Sequence, residues 1–188
     1  EMLRHTQSEA HRNGMQIDMN TGTGWPFGSP EVSLEDAASC LIISEYKLKG
    51  GERLRVKVEP EDKTQKAHAV LSRLMGFSDK GICLDLTLKV DSKGMLNWKA
   101  SKGNWRLIAA FTGKTLQKVK RAAPGGEGYV MDHFSEKSVE NYLARFDKAF
   151  SNSKVSYPHN FFNDSYEVYK ADWTPRFFEE FALRGGYK

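Results

Sequence analysis

A stretch near the end of the chain, Tyr157–Pro175, brings acidic and aromatic side chains together. It begins with an aromatic run and continues into a polar cluster made of Asn163, Asp164, Ser165 and Glu167. This order is typical of a buried parallel strand whose carboxyl end carries chemistry before the chain enters a helix. Carboxylates are costly to place beside Phe and Tyr without partners, so the pattern favours a functional site. The alternative is structural, with the aspartate capping a turn and Glu167 solvated.

Two earlier segments, Met15–Asn20 and Gly128–Phe134, also have the pattern of a short strand that ends in polar residues. In a (β/α) barrel the carboxyl ends of the parallel strands converge on the face that holds the active site. The sequence therefore predicts one site to which all three strand ends contribute. The polar residues at these ends are Asp18, Asn20, Asp132, His133, Asn163, Asp164 and Glu167.

Helical signals separate the three predicted strands. Apolar residues at helical spacing predict a helix from Ser135, as its N-cap, to about Phe150. Further helices are predicted over Met2–Asn13, after Ser33 and over Pro175–Leu183. Strands that alternate with helices indicate an α/β fold with a parallel sheet.

The middle of the chain has a different pattern, with some six short strands and tight turns. Turns predicted at 49–52, 91–94 and 112–114 would join successive strands as hairpins. This pattern indicates an antiparallel β-domain inserted into the α/β fold. The predicted organisation is the first part of a (β/α) barrel over 1–39, the insert over 40–121 and the rest of the barrel over 122–188.

The insert is basic, since Cys40–Lys120 contains 17 Lys or Arg residues against 8 Asp or Glu. A basic stretch raises the question of nucleic-acid binding. Its lysines and arginines alternate with apolar residues, however, as in Arg53–Val58. Because period-two alternation describes the solvated face of a half-buried strand, we expect no nucleic-acid partner.

Cysteine usage and hydropathy add two expectations. Cys40 and Cys83 stand far apart, in no metal-binding pattern and among apolar residues, which predicts buried side chains and leaves a disulfide open. No run of about 18 apolar residues is present, so we expect no membrane span.

The glycine-rich loop Thr21–Gly28 resembles a phosphate-binding loop only superficially. Trp25 and Pro26 stand where such a loop needs free backbone N–H groups, and no Lys-Ser/Thr pair follows. We interpret the loop as one that holds an aromatic platform, Trp25, over a pocket.

Several of these motifs, in this order, resemble the α-L-rhamnosidase-type glycoside hydrolases of family 106. The motifs are Thr23-Gly24-Trp25-Pro26-Phe27-Gly28, the run GGEGYVMDHFS from Gly125 to Ser135, Asn163-Asp164-Ser165-Tyr166-Glu167, Trp173-Thr174-Pro175 and Arg184-Gly185-Gly186-Tyr187. The resemblance implies a large multidomain protein of which this chain is a part. The fold it implies is a partial (β/α)8, TIM-type barrel with an inserted antiparallel β-domain.

The resemblance also implies a reaction, the inverting acid–base hydrolysis of an α-L-rhamnoside or a related deoxy-sugar glycoside. Glu167, between Tyr166 and Tyr169, is the candidate proton donor, and a second carboxylate would come from a later strand. Trp25 would stack on the sugar, while the other strand-end residues would bind its hydroxyl groups.

Four further expectations depend on the resemblance. Calcium is open as a cofactor, because Asp, Asn and Glu supply hard oxygen ligands, although no EF-hand-like spacing is present. The expected location is periplasmic or extracellular, and the expected partners are a carbohydrate substrate and the remainder of the parent polypeptide. We expect the isolated 188 residues to be inactive. The competing hypothesis is a non-catalytic carbohydrate-binding or scaffold module.

Overall fold

A computed structural model describes residues 1–163 and 166–186. The chain is a mixed α/β protein that divides into two compact units. The first unit consists of Glu1–Ala38 and Thr115–Ala171, and the second of Ser39–Lys114 and Asp172–Lys188. The last segment, expected to continue the barrel, thus belongs to the same unit as the β-rich middle. No helix within the described ranges has the length and apolar character needed to cross a membrane.

The described residues form three α-helices and ten strands. The helices are α1 (Met2–Arg12), α2 (Glu136–Ser153) and α3 (Phe177–Gly185). The strands are β1 (Asp18–Met19), β2 (Gly28–Ser29), β3 (Ser39–Leu48), β4 (Arg53–Lys57), β5 (Val70–Ser78), β6 (Cys83–Asp85), β7 (Met95–Lys99), β8 (Trp105–Lys114), β9 (Tyr129–Val130) and β10 (Asn160–Phe161).

The first unit contains one parallel strand pair, β1 with β10. These are the first and third of the three parallel strands that the sequence predicted. Asp18 lies opposite Asn160, and Met19 lies opposite Phe161. The Phe162 N–H donates to the Met19 carbonyl at 2.9 Å, so the two strands end at the same level. The loops that follow β1 and β10 therefore leave from a shared edge.

The prediction that β9 lies beside this parallel pair is wrong. β9 pairs antiparallel with β2, with Ser29 opposite Tyr129. Glycines explain this pairing, because a Cβ atom at Gly28 would lie 2.2 Å from the Tyr129 carbonyl oxygen and one at Gly128 would lie 1.8 Å from the Ser29 carbonyl oxygen. Only residues without side chains allow the two backbones to approach this closely. Among the described residues, β1 and β10 are the only parallel pair, so the predicted partial barrel is not shown by these strands.

Helix α2 begins where the sequence predicted. The Ser138 N–H donates to the Ser135 side chain at 3.3 Å, so Ser135 is the N-cap. The helix ends three residues later than predicted, at Ser153, with Lys154 in a left-handed conformation. After Ser33, by contrast, the chain makes a turn and no helix, in which the Asp36 N–H donates to Ser33 Oγ at 3.1 Å.

The second unit is dominated by a four-stranded antiparallel sheet in the order β3-β8-β5-β6. The strand expected to turn at 112–114 instead continues as β8 to Lys114, and β8 pairs with both β3 and β5. Gly113 lies inside this strand, where a Cβ atom would meet Ile42 Cδ1 at 2.2 Å. The glycine therefore accommodates a neighbouring strand and does not form a turn.

The predicted hairpin at 49–52 is also wrong. β3 and β4 leave this turn into different sheets, and β4 pairs with β7. The turn itself is present, since the Lys49 N–H donates to Glu52 Oε2 at 2.6 Å and Gly51 has a positive φ of 86°. The Gly51 N–H donates across to the Ala100 carbonyl at 3.0 Å, which directs β4 towards β7.

Each unit has its own apolar core. In the second unit Leu74, Leu96 and Leu107 are completely buried between the sheets. In the first unit Val32, Met131 and Tyr142 pack together. Cys40 is partly exposed and Cys83 is exposed, and no disulfide joins them, so the expectation that they are buried is wrong.

Candidate active site

The loop after β10 carries Glu167, and Gln117 holds this loop in place. Gln117 Nε2 donates to the Glu167 carbonyl at 2.8 Å, and the Tyr169 N–H donates to Gln117 Oε1 at 2.7 Å. Gln117 is fixed in turn, because its carbonyl accepts from the Val130 N–H at 3.0 Å. One side-chain amide therefore ties the backbone around Glu167 to the segment that lies against β9.

The Glu167 carboxylate is oriented by a neighbouring phenol. The Tyr169 hydroxyl donates to Glu167 Oε2 at 2.8 Å. Glu167 remains partly exposed to solvent. A carboxyl group with one oxygen held by a donor and access to solvent can exchange a proton with a bound ligand.

Trp25 lies in the same neighbourhood through Lys120. The Trp25 N–H donates to the Lys120 carbonyl at 3.1 Å, and the Lys120 N–H donates to the Trp25 carbonyl at 2.8 Å. The Lys120 ammonium lies 5.7 Å from the centroid of the Trp25 ring and 4.5 Å from that of the Tyr169 ring. Because Tyr169 also binds Glu167, the aromatic platform and the candidate acid belong to one continuous set of contacts.

Asp132 and His133 meet the other side of the Glu167 segment at Tyr166. The His133 and Tyr166 rings lie 4.3 Å apart between centroids. Burial lowers the pKa of His133, and the Asp132 carboxylate opposes this shift. Burial also raises the pKa of Tyr166, and the negative charge of Asp132 acts in the same direction. A neutral imidazole and a protonated phenol suit hydrogen bonds to sugar hydroxyl groups.

Asp132 itself is almost completely buried, with 2% of its surface exposed. Its Oδ1 accepts from the Phe134 N–H at 3.0 Å, and its own N–H donates to the Asp36 carbonyl at 2.8 Å. This burial favours a structural and electrostatic role for Asp132 over direct contact with a ligand.

Asp18 and Asn20 have local partners away from this set of contacts. The Asp18 carboxylate lies 3.4 Å from His159 Nδ1, and both side chains are exposed. Asp18 is the first residue of the two-residue strand β1 and lies directly before Met19, at its carboxyl end. Asn20 Oδ1 accepts from the Gly22 N–H at 2.6 Å, which shapes the turn into the glycine-rich loop.

Asn163 is exposed and follows β10 by two residues. Asp164 lies outside the described residues. Within 1–163 and 166–186, no group of three or more His, Cys, Asp or Glu side chains is arranged to hold a metal ion. The calcium hypothesis therefore stays a prediction.

Gln117 and Lys120 are the residues at this site that the sequence did not indicate. Both stand in the basic stretch Cys40–Lys120, whose lysines alternation assigned to a solvated face, and Gln117 was given no role. Their contacts with residues 25 and 167–169 are long-range, so no local spacing could have found them. Tyr169 was visible from the sequence as an aromatic neighbour, but its hydrogen bond to Glu167 was not.

Known proteins resemble this chain in fold and in sequence. A solved rhamnosidase from Novosphingobium sp. PP1Y has a TM-score of 0.71 at 15% identity, over 99% of this chain and 35% of that one. At this identity the likeness shows a shared fold. A curated protein of Formosa agariphila named "Putative beta-glucuronidase" is 27% identical over 228 aligned residues, which include 100% of this chain. The chain spans only 20% of the length of that relative.

A family model described as alpha-L-rhamnosidase, glycoside hydrolase family 106, matches residues 65–188. The match covers more than half of the chain and includes Gln117, Lys120, Asp132 and the Glu167 loop. The chain therefore belongs to the alpha-L-rhamnosidase family of glycoside hydrolases, family 106.

Proposed function

We propose that this chain forms part of the active site of a glycosidase that hydrolyses α-L-rhamnosides, or related deoxy-sugar glycosides, with inversion at the anomeric carbon. The observation that carries the proposal is the Glu167 carboxylate, which is oriented by Tyr169, an aromatic residue that shares the Lys120 ammonium with Trp25, in a chain of this family. Since the chain spans a small part of its relatives, the complete polypeptide is the unit in which the activity is expected. The (β/α)8 barrel remains our hypothesis for that complete protein.

Glu167 acts as the general acid in this proposal. Inverting hydrolysis needs one carboxylic acid to protonate the leaving oxygen and one carboxylate to activate water, about 6.5–9.5 Å apart. The partly exposed Glu167 suits proton donation, and Trp25 offers a face on which the apolar side of a sugar ring can stack. We assign the second carboxylate to the remainder of the polypeptide. His133 and Tyr166 bind hydroxyl groups of the sugar.

A substitution at Glu167 in the full-length protein tests the proposal. Glu167→Gln keeps the size of the side chain but removes its acid–base function, so turnover of an aryl α-L-rhamnoside is expected to fall about 10²–10⁴-fold with sugar binding retained. Glu140→Gln, on the exposed side of α2, is the matched control and is expected to keep wild-type turnover. Unchanged turnover in Glu167→Gln removes Glu167 from the catalytic role.

Two further measurements settle the sugar and the stereochemistry. An aryl β-D-glucuronide should be assayed beside the aryl α-L-rhamnoside, because the Formosa relative is named for glucuronide cleavage. Proton NMR of the first-formed sugar shows whether the anomeric configuration is inverted. Retention, or cleavage of the glucuronide alone, contradicts the corresponding part of the proposal.

A further inference from the structure

Lys120 occupies a fixed position between two aromatic rings of the candidate site. Its ammonium lies 4.5 Å from the Tyr169 ring centroid and 5.7 Å from the Trp25 ring centroid. Cation–π contacts of this kind hold a lysine side chain over the ring faces. Backbone hydrogen bonds with Trp25 in both directions fix the lysine's main chain as well. The charge is therefore placed beside the platform in advance of any ligand.

The charge of Lys120 is not neutralised within the part of the chain that the structure describes. Neither Lys120 nor its neighbours Lys118 and Arg121 form an ion pair with a described acidic residue. Lys120 is connected to the Glu167 carboxylate through Tyr169, whose ring contacts the ammonium and whose hydroxyl donates to Glu167. An exposed ammonium without a described carboxylate partner can form a charge-assisted hydrogen bond with an anionic group of a ligand.

We propose that Lys120 makes this site selective for acidic saccharides, in which a uronate carboxylate or a sulfate ester lies against the ammonium. The inference rests on the proposed function only in taking the Trp25 platform as a sugar-binding surface. The Lys120 ammonium lies 5.7 Å from the Trp25 ring centroid, so an anionic substituent of a sugar bound at Trp25 would come close to it. A preorganised cation of this kind favours binding of anionic ligands over neutral ones, and this preference weakens as the salt concentration rises.

Lys118 provides a matched control for Lys120. It is an exposed lysine two residues away, and its ammonium also stacks on an aromatic ring, that of Tyr129, at 3.3 Å. Lys118→Met therefore removes the same charge and the same type of contact from the same segment. The Lys118→Met substitution leaves Lys120 in place beside Trp25 and Tyr169.

The experiment measures equilibrium binding to the full-length protein by ligand-observed NMR, with two matched ligand pairs. The first pair is methyl β-D-glucuronide and its uncharged methyl ester, and the second is L-rhamnose 3-sulfate and L-rhamnose. We expect at least one anion to bind about fivefold to fiftyfold more tightly than its neutral partner, in line with one partly screened charge pair. The pair that shows this preference identifies the anion as a carboxylate or a sulfate. The preference should disappear in Lys120→Met, persist in Lys118→Met and shrink between 50 mM and 500 mM salt.

The proposal is overturned when neither pair shows a charge preference, when the preference survives Lys120→Met, or when Lys118→Met removes it equally. Because the ligands are not hydrolysed, the result does not depend on turnover. Hydrolysis of the neutral aryl α-L-rhamnoside tests the proposed function separately, so the two failures can be distinguished. Far-ultraviolet circular dichroism establishes that each variant is folded.

Discussion

The Tyr169 hydroxyl donates a hydrogen bond to Glu167 Oε2 at 2.8 Å, between two residues separated by one position in the chain. Side chains at this separation do not reach each other on a regular helix and lie on the same face of an extended segment. The pairing therefore depends on the shape of the loop, which Gln117 fixes from outside. The loop delivers an oriented carboxylate to the site.

Loss of the Tyr169 hydroxyl is expected to impair catalysis more than ligand binding. Hydrogen bonds to charged groups contribute about 1.5–3 kcal/mol when buried, and this pair is partly exposed, so Tyr169→Phe should lower kcat by about tenfold with little change in KM. Tyr157→Phe is the control, because the Tyr157 hydroxyl donates to Asp147 Oδ1 at 3.0 Å in a similar pair away from Glu167. Equal effects of the two substitutions would contradict a positioning role for Tyr169.

Gln117 is expected to control the order of the Glu167 loop. Gln117→Leu removes both hydrogen bonds to the loop, whereas Gln117→Glu keeps an acceptor for the Tyr169 N–H and loses the donor to the Glu167 carbonyl. Each hydrogen bond contributes about 1 kcal/mol. Exchange of the Tyr169 amide hydrogen should therefore accelerate more in Gln117→Leu, which loses both bonds, than in Gln117→Glu, which loses one. Turnover should fall in the same order. Wild-type exchange at Tyr169 in Gln117→Leu would show that other contacts hold the loop.

Folding stability is expected to depend on pH through His133. Its pKa in the folded protein is lowered by burial from an ordinary value of 6.5, so below about pH 6.5 the unfolded chain binds more protons than the folded one. The free energy of unfolding should therefore fall as the pH drops from 7.5 to 5.5, by at most about 1.4 kcal/mol per unit for this one group. Urea denaturation across this range in wild type and His133→Gln measures the contribution, which the variant should lack. His5→Gln, on the exposed surface of α1, should keep the wild-type slope, and a slope unchanged in His133→Gln would contradict the assignment.

Features set by neighbouring residues could be predicted from the sequence. The α2 helix follows from a serine cap and helical spacing of apolar residues, both of which are local. The turn at 91–94 is also local, since Asp91 Oδ1 accepts from the Lys93 and Met95 N–H groups at 2.8 and 2.9 Å. The sequence placed Glu167 at the carboxyl end of a strand, whereas β10 already ends at Phe161.

Strand partners could not be predicted from local patterns. The turn at 49–52 exists, yet β4 pairs with β7. Local patterns do not show this pairing, because the Gly51 N–H donates to the carbonyl of Ala100, which lies far along the chain. Lys120 was assigned to a solvated face by its alternation, and only the fold shows that the face carries Trp25.

The approach of β2 and β9 through Gly28 and Gly128 is expected to support the whole candidate site. A Cβ atom at Gly128 would lie 1.8 Å from the Ser29 carbonyl oxygen, which is backbone and cannot rotate away. Gly128→Ala should therefore push the two strands apart and destabilise the first unit by about 1–3 kcal/mol. The Gly128 carbonyl also accepts from the Val119 N–H at 3.0 Å, so the segment that carries Lys120 should loosen with it.

Amide hydrogen exchange at Val119 and Val130 measures this effect locally, since the Val119 N–H donates to the Gly128 carbonyl and the Val130 N–H donates to the Gln117 carbonyl. Both amides should exchange faster in Gly128→Ala, and charge-selective sugar binding should weaken because Lys120 is no longer fixed beside Trp25. Gly76→Ala is the comparison, because a Cβ atom there would meet only side-chain atoms, with Leu107 Cδ2 nearest at 3.0 Å. These atoms can shift by a few tenths of an ångström, so Gly76→Ala should leave exchange at Val119 and Val130 unchanged. Wild-type exchange at both amides in Gly128→Ala would show that the pairing of β2 with β9 does not hold the Lys120 segment in place.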